Sequence, residues 1–335
     1  MPSLSLSTVS SSSLDTNDAD SAKTIDSSVS LSLDEAARDC DSHLPFEIPG
    51  AEVLTAPSVS VLRKTANDVC NRINSDTSYS NQFIIVSNIS QPLQELIGGD
   101  RNPLKIPYRL TLDTQHQQGV IRIIPSGAHE RVTRSFSNKL VAKLLEMGID
   151  PDDYTMNSAT RYHGKSCDKE ADESLTPSRN PSEGEDWPSL VIETGLSESE
   201  AQLRTDTYWW FSNSSYQVNT VILFRIQRSP ERKVFVKLYT LGPTTPRVTR
   251  GLQKDIRRTL LSDPALSQTD SPTVLRPHLA AKEIVVTSSN VENAPLELEF
   301  ESIMRRPTAP NTREKDITFT AEDLAACCRH ALPIT

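Results

Sequence analysis

Residues 186–211 read "DWPSLVIETGLSESEAQLRTDTYWWF". The apolar run Leu190-Val191-Ile192 predicts a buried strand over 188–195. The chain then turns through Thr194-Gly195. Ser197 followed by Glu200 has capping-box spacing, which predicts a helix over 197–211. Leu203 and Trp210 share one face of that helix, a pattern of core packing. Use of Tyr208, Trp209, Trp210 and Phe211 as stacking platforms for bases fits that spacing less well. The residue that needs explaining is Glu193, a carboxylate inside the apolar strand. An isolated buried charge is costly, so it pairs, binds a metal ion or stays protonated.

Upstream of this stretch, "AHERVTRSFSNKLVAKLLEMG" predicts a helix over 128–148, with Val132, Phe136, Leu140, Leu144 and Leu145 at steps of about four. Gly148 is its natural stop. A strand over 154–162 and a short extended piece at 172–175 lie between that helix and residue 188. Downstream, "NTVILFRIQRS" (219–229) and "KVFVKLYTL" (233–241) predict two more strands. The resulting order is helix, three strands, helix, two strands. It describes an α/β chain, more narrowly an α+β mixed sheet with helices packed on it.

Outside this core, Val61 and Val69 mark a helix over 58–75, residues 82–89 read as a strand, and 108–127 read as a β-hairpin turning at Gln117-Gln118-Gly119. After residue 241 come a helix over 249–261, a loop over 262–277, strands at 282–288 and 296–304, and a helix over 319–332 with Thr320 as its N-cap. The expected organisation is a tail (1–50), an N-terminal β-rich extension (51–127), a core (128–241) and a C-terminal extension ending in a helix (242–335).

Residues 1–50 hold nine acids and two bases and are rich in Ser and Asp, a composition that predicts disorder. They carry −7 of the total charge of −9, so the remainder is close to neutral. A near-neutral body contacts nucleic acid only through a local basic patch. No basic segment followed by an apolar core opens the chain, and no apolar run is long enough to span a bilayer, so the expectation is an intracellular protein without membrane contact. The five cysteines are scattered, and the adjacent pair Cys327-Cys328 is not a zinc spacing. No glycine-rich phosphate loop and no nucleophile–base arrangement stands out.

Acidic partners for Glu193 are Asp172, twenty-one residues upstream in "KEADESLTP", and Asp206 on the helix. At about 100° per residue, Asp206 lies about 60° from Leu203 and about 40° from Trp210, at the border of the apolar face. If 171–176 and 188–194 are neighbouring strands, Asp172 and Glu193 converge at one end of the sheet. Two such carboxylates suit Mg²⁺, which takes oxygen ligands and keeps waters. The bland alternatives are an arginine or helix N-terminus for Glu193, a solvated loop for Asp172 and a helix salt bridge for Asp206. For Glu130 the alternative is a first-turn acid, and for His129, a candidate general base beside it, a capping or surface position.

The run "DWPSLVIETGLSESEAQLRTDTYWW", together with "GKSCDKEADESLTP", resembles a widespread set of fungal proteins. Their layout is similar to that of PD-(D/E)XK, restriction-endonuclease-like nucleases, notably the bacterial Uma-type endonucleases. The resemblance covers roughly residues 105–240. It implies a restriction-endonuclease-like core in which Asp172 and Glu193 hold Mg²⁺ and a lysine polarises the attacking water. Asp206 and Glu130, the latter on the helix preceding the catalytic strands, complete the implied catalytic set. Ala171 stands where the pattern has proline, and Gly195 where it has lysine. Uma-type proteins often carry that lysine on the following helix, where this chain has Asp206. Arg204 lies about 160° around the helix from Asp206. Lys169 and Lys237 are the other cations that could substitute. The resemblance therefore implies either a Mg²⁺-dependent nuclease or a noncatalytic module that binds nucleic acid or protein.

Overall fold

The computed structural model describes residues 48–79, 81–99, 101–124, 127–165, 167–178, 187–196, 200–242 and 276–332. Residues 1–47 of the tail, the expected helix at 249–261, nearly all of the loop at 262–277, and Ser197 of the capping box lie outside them. Residue 203 is described in its backbone only. The described residues belong to one compact unit, Asp39–Thr335.

Strand β1 (Glu52–Thr55) leads into α1 (Val59–Ser75) and returns to pair in parallel as β2 (Phe83–Ser87). Ser58 caps α1 by accepting from the Val61 amide. The buried stripe of α1 is Leu62, Ala66, Val69 and Ile73, whereas Val61 faces solvent. The core stripe therefore starts one residue later than the valine spacing suggests. After α2 (Gln91–Gly98), the expected hairpin forms from β3 (Tyr108–Asp113) and β4 (Gln118–Ile123).

Helix α3 (Gly127–Met147) buries Val132, Phe136, Leu140 and Leu144, while Leu145 points outward. Gly148 ends it with φ of +84°, a conformation glycine adopts without steric cost. The strand expected at 154–162 is two strands. β5 (Tyr154–Ser158) and β6 (Arg161–His163) are separated by a reversal at Ala159, whose φ is +52°. β6 pairs with β7 (Asp168–Glu170), and β5 pairs with β8 (Glu173–Pro177). The deciding strand is β9 (Leu190–Leu196), followed by α4 (Glu200–Asn213), β10 (Thr220–Gln227) and β11 (Lys233–Gly242).

Two large mixed sheets result. The first has six strands in the order β1-β2-β4-β3-β7-β6. The second has eight, with β9 between β8 and β10. β9 and β10 run parallel because α4 carries the chain back, while β8 and β9 are antiparallel. The second sheet is extended by β12 (Arg276–Leu279), β13 (Ile284–Val286) and β14 (Val291–Glu292).

The segment 296–304 is not one strand. β15 (Leu296–Leu298) gives way to a short helix, α5 (Phe300–Met304), whose five residues are all buried. β15 pairs with β16 (Ile317–Phe319), and α6 (Ala321–Cys328) follows with Thr320 and Asp323 forming a capping box.

These C-terminal elements belong to the main core. Phe319 stacks on Phe136 of α3 at 4.3 Å, and Phe136 meets Phe224 of β10 edge-on at 5.1 Å. Cys70, Cys167, Cys327 and Cys328 are free thiols. No helix among the described residues is long and apolar enough to cross a membrane.

Phe136→Ala removes the ring that α3, β10 and β16 share, and is expected to cost about 3–5 kcal/mol. Urea denaturation followed by both fluorescence and far-UV circular dichroism checks this. Because Phe319 is part of the same stack, the two probes are expected to keep one common midpoint.

Candidate functional site

Glu193 is fully buried on β9, and its compensation comes from the other sheet. Arg122 of β4 places Nη2 2.8 Å from Glu193 Oε2 and 3.0 Å from Asp172 Oδ1. Glu193 Oε1 accepts from the Trp210 indole Nε1 at 2.9 Å. Asp172 sits immediately before β8, and its Oδ2 accepts from the Thr194 amide at 2.9 Å. Arg109 Nε of β3 lies 3.1 Å from Asp172 Oδ1.

The register explains why these cations converge. Arg109 and Arg122 are direct cross-strand partners, as are Thr111 and Lys169. Residues opposite each other or two apart on a strand share one face, so Arg109, Arg122 and Lys169 project from the same side of the six-stranded sheet. Like charges placed directly opposite repel. The repulsion is offset by the acids that the second sheet and α4 bring to that face. Lys169 Nζ meets Asp206 Oδ1 at 2.7 Å and lies over the rings of Trp209 and Trp210. Three acids therefore face three cations.

His129 is also drawn in. The first turn of α3 buries it, with Nε2 facing the Thr194 carbonyl and lying 3.3 Å from Asp172 Oδ2. Both neighbours are acceptors, so Nε2 carries the proton and donates. One turn on, Thr133 Oγ1 and Thr194 Oγ1 lie 2.7 Å apart. The capping or surface position weighed for His129 is thus replaced by a buried one. Glu130 follows it by one residue, about 100° around the helix, and is exposed. It is not among the side chains that pair in the cluster of Asp172, Glu193 and Asp206, but it lines the cleft on which Asp172 opens.

Among the other cations, Lys169 joins the cluster and Lys237 does not, being paired with Glu283 at 3.2 Å. The aromatic set Tyr208, Trp209, Trp210 and Phe211 is buried. Trp209 and Trp210 meet edge-on at 4.9 Å, next to Tyr162 and Trp187. Trp209 and Trp210 pack on one another, and Trp210 holds the network through Glu193. The residues that sequence reasoning did not find are Arg109 and Arg122. A signal was present, since Arg122 interrupts "VIRII" as Glu193 interrupts "LVIET".

Beside the network opens a cleft of about 380 Å³. Asp172 and His129 form part of its wall, and its other charged side chains are Arg109, Arg131 and Arg134 together with the acids Glu130 and Glu173. Arg131 and Arg134 are both exposed, and Arg134 Nη1 is paired with Glu173 at 2.9 Å.

A shared Mg²⁺ does not fit this arrangement. Direct Mg–O contacts are about 2.0–2.1 Å. Here each free carboxylate oxygen stands at hydrogen-bond distance from one guanidinium nitrogen, in the space the ion would need. Among the described residues, no three or more His, Cys, Asp or Glu side chains converge where an ion could sit.

No protein-family model matches the chain, and no curated protein matches it. A crystal structure from Anabaena variabilis described as a "putative nuclease belonging to DUF820" aligns with 48% of this chain and 90% of its own, at 14% identity and a TM-score of 0.30. A likeness this slight assigns no role to any residue here.

The two carboxylates give the protein opposite pH dependences. Burial works against the Asp172 charge, but Arg122, His129 and Arg109 outweigh it and hold this carboxyl far below the usual aspartate range. The unfolded chain takes up that proton near the ordinary value of about 3.9. The Asp172 contribution is therefore complete above that value and is lost as pH falls through it towards the folded value. Burial raises the Glu193 carboxyl, with Arg122 and Lys169 opposing the rise and Asp172 and Asp206 adding to it. Its folded form binds a proton at higher pH than the unfolded form. Stability therefore gains as pH falls from the folded value to the ordinary one of about 4.3.

Asp172→Asn is expected to cost about 3–5 kcal/mol at neutral pH, because it leaves buried arginines without their counter-charge. Its stability should also fall less steeply than wild type below about pH 4. Urea titrations at a series of pH values check both; an acid slope equal to wild type would exclude Asp172 as the group responsible. For the Lys169–Asp206 pair, a double-mutant cycle with Lys169→Met and Asp206→Asn is expected to return a coupling of roughly 0.5–3 kcal/mol.

Proposed function

We propose that this chain is a nuclease-like α+β protein that does not hydrolyse phosphodiesters and acts as a nucleic-acid-binding module. The observation that carries this reading is Arg122 Nη2 between Asp172 and Glu193. Hydrolysis on two such carboxylates would need a cation that activates water and stabilises the developing charge. A guanidinium supplies charge but no coordination site for water, and its proton is not available at ordinary pH. The cleft beside it supports binding: the exposed Arg131 and Arg134 suit an anionic backbone, with Glu130 and Glu173 in the same lining.

A second reading, Mg²⁺-dependent phosphodiester hydrolysis on Asp172 and Glu193, is favoured by one observation. Lys169 Nζ lies over the ring of Trp210, whose indole donates to Glu193, so a cation that Gly195 does not supply stands beside that carboxylate. Arg122 would then have to leave the space between the carboxylates.

The two readings separate in one pair of measurements. Labelled DNA and RNA, single- and double-stranded, are incubated with wild type and with Glu193→Gln in Mg²⁺ or Mn²⁺. No cleavage by either protein is expected. Anisotropy should show binding that weakens as salt rises, and Arg131→Glu should weaken it and flatten the salt dependence. Cleavage by wild type that Glu193→Gln abolishes would establish the second reading. No binding to any strand at low salt would remove nucleic acid as the partner.

A further inference from the structure

We infer that Arg122 is a built-in substitute for a divalent cation, and that it closes a latent site whose oxygen donors, Asp172 Oδ1 and Glu193 Oε2, are already set. This deepens the noncatalytic reading above, on which it rests.

The argument starts from how each carboxylate is held. Asp172 commits Oδ2 to the Thr194 amide, with His129 Nε2 beside it. Glu193 commits Oε1 to Trp210 Nε1. One oxygen of each group is thus fixed by a rigid donor, and the other is turned towards a common point. Carboxylates that ligate metals are oriented in this way by hydrogen bonds to their outer oxygens. Here the common point holds a guanidinium nitrogen. Asp172 Oδ1 meets arginine nitrogens alone, Arg122 Nη2 at 3.0 Å and Arg109 Nε at 3.1 Å.

Charge and space agree with this. Without Arg122, the acids Asp172, Glu193 and Asp206 keep Arg109 and Lys169, with His129 beside Asp172, among the described residues. That removes one fixed positive charge from between two buried carboxylates, a condition that favours capture of a cation. Removing the side chain beyond Cβ also clears the volume in which a small hard cation would keep its own waters. The cleft whose wall includes Asp172 and Arg109 gives such an ion a route from solvent. In the wild-type protein, the guanidinium is tethered to β4 and permanently charged, so a dissolved ion competes poorly for the same oxygens.

The test uses the full chain as wild type, Arg122→Ala, Arg122→Gln and the double variant Arg122→Ala/Glu193→Gln. Thermal unfolding is measured in chelator and in millimolar Mg²⁺ or Mn²⁺. Tb³⁺ luminescence is measured with tryptophan excitation, because Trp210 touches Glu193 and would sensitise an ion bound there. Wild type is expected to show no metal-induced shift in Tm and no saturable sensitised emission. Arg122→Ala is expected to melt lower in chelator and to regain several degrees with Mn²⁺. Both single variants should gain saturable Tb³⁺ emission, and the double variant should lose both responses.

The inference is overturned if neither single variant responds, if wild type responds equally, or if the response survives Glu193→Gln. Should both single variants stay unfolded with and without metal, an ion does not replace the guanidinium, and the inference fails as well. Cleavage of nucleic acid by wild type would instead sink the noncatalytic reading, so the two failures are distinguishable.

Discussion

The structure depends on a buried exchange of charge between two sheets. The six-stranded sheet contributes Arg109, Arg122 and Lys169, and the opposing layer contributes Asp172, Glu193 and Asp206. Neither set is tolerable alone. Two arginines opposite each other on adjacent strands repel, and an acid inside an apolar strand is costly to desolvate. Bringing the sheets together removes both difficulties, but only in one register. A slip of one residue in β4 would turn Arg122 to the other face and present Ile121 or Ile123 to the carboxylates.

Such a network is weak grounds for high stability. Buried ion pairs often exchange for well-packed apolar groups at little cost, whereas breaking one partner is expensive. What the network supplies is pairing specificity. The apolar cluster on α3 joins helix, strands and C-terminal segment through contacts with little directional preference, such as the Phe136, Phe224 and Phe319 stack. The charge network is directional, and its hydrogen bonds run to fixed groups: the Thr194 amide and the Trp210 indole. Aromatic packing around Trp209 and Trp210 then shields the charges from water and strengthens them.

Much of this was legible in the sequence. The helix–strand–helix order from 128 to 241, the hairpin and the cap at Thr320 follow from local patterns, and those elements form. The expectation that Asp172 and Glu193 converge was conditional on 171–176 lying beside 188–194, and the strands at 173–177 and 190–196 are neighbours. What local pattern could not supply was the partner across sheets. Arg122 is 71 residues from Glu193, and spacing arguments reach only a few turns of helix or one hairpin. The split at Ala159 and the helix at 300–304 were missed for a related reason. Short mixed segments such as "YTMNSATRY" and "FESIM" carry no decisive period, so the reversal and the helix are set by what surrounds them.

The position of the lysine follows from the same balance. Gly195 is two residues beyond Glu193 on β9, so a side chain there would project from the Glu193 face. A lysine at 195 would bring a fourth cation to a site where three already meet three acids. Lys169 arrives instead from the neighbouring sheet, with Asp206 as its own counter-charge at 2.7 Å. Asp206 is therefore accounted for as the partner that lets Lys169 be buried, and Arg122 as the partner that lets Asp172 and Glu193 be buried together. Each charged residue in the cluster is compensated by another on the same chain, and the exposed charges of the adjoining cleft are Arg131, Arg134 and Glu130.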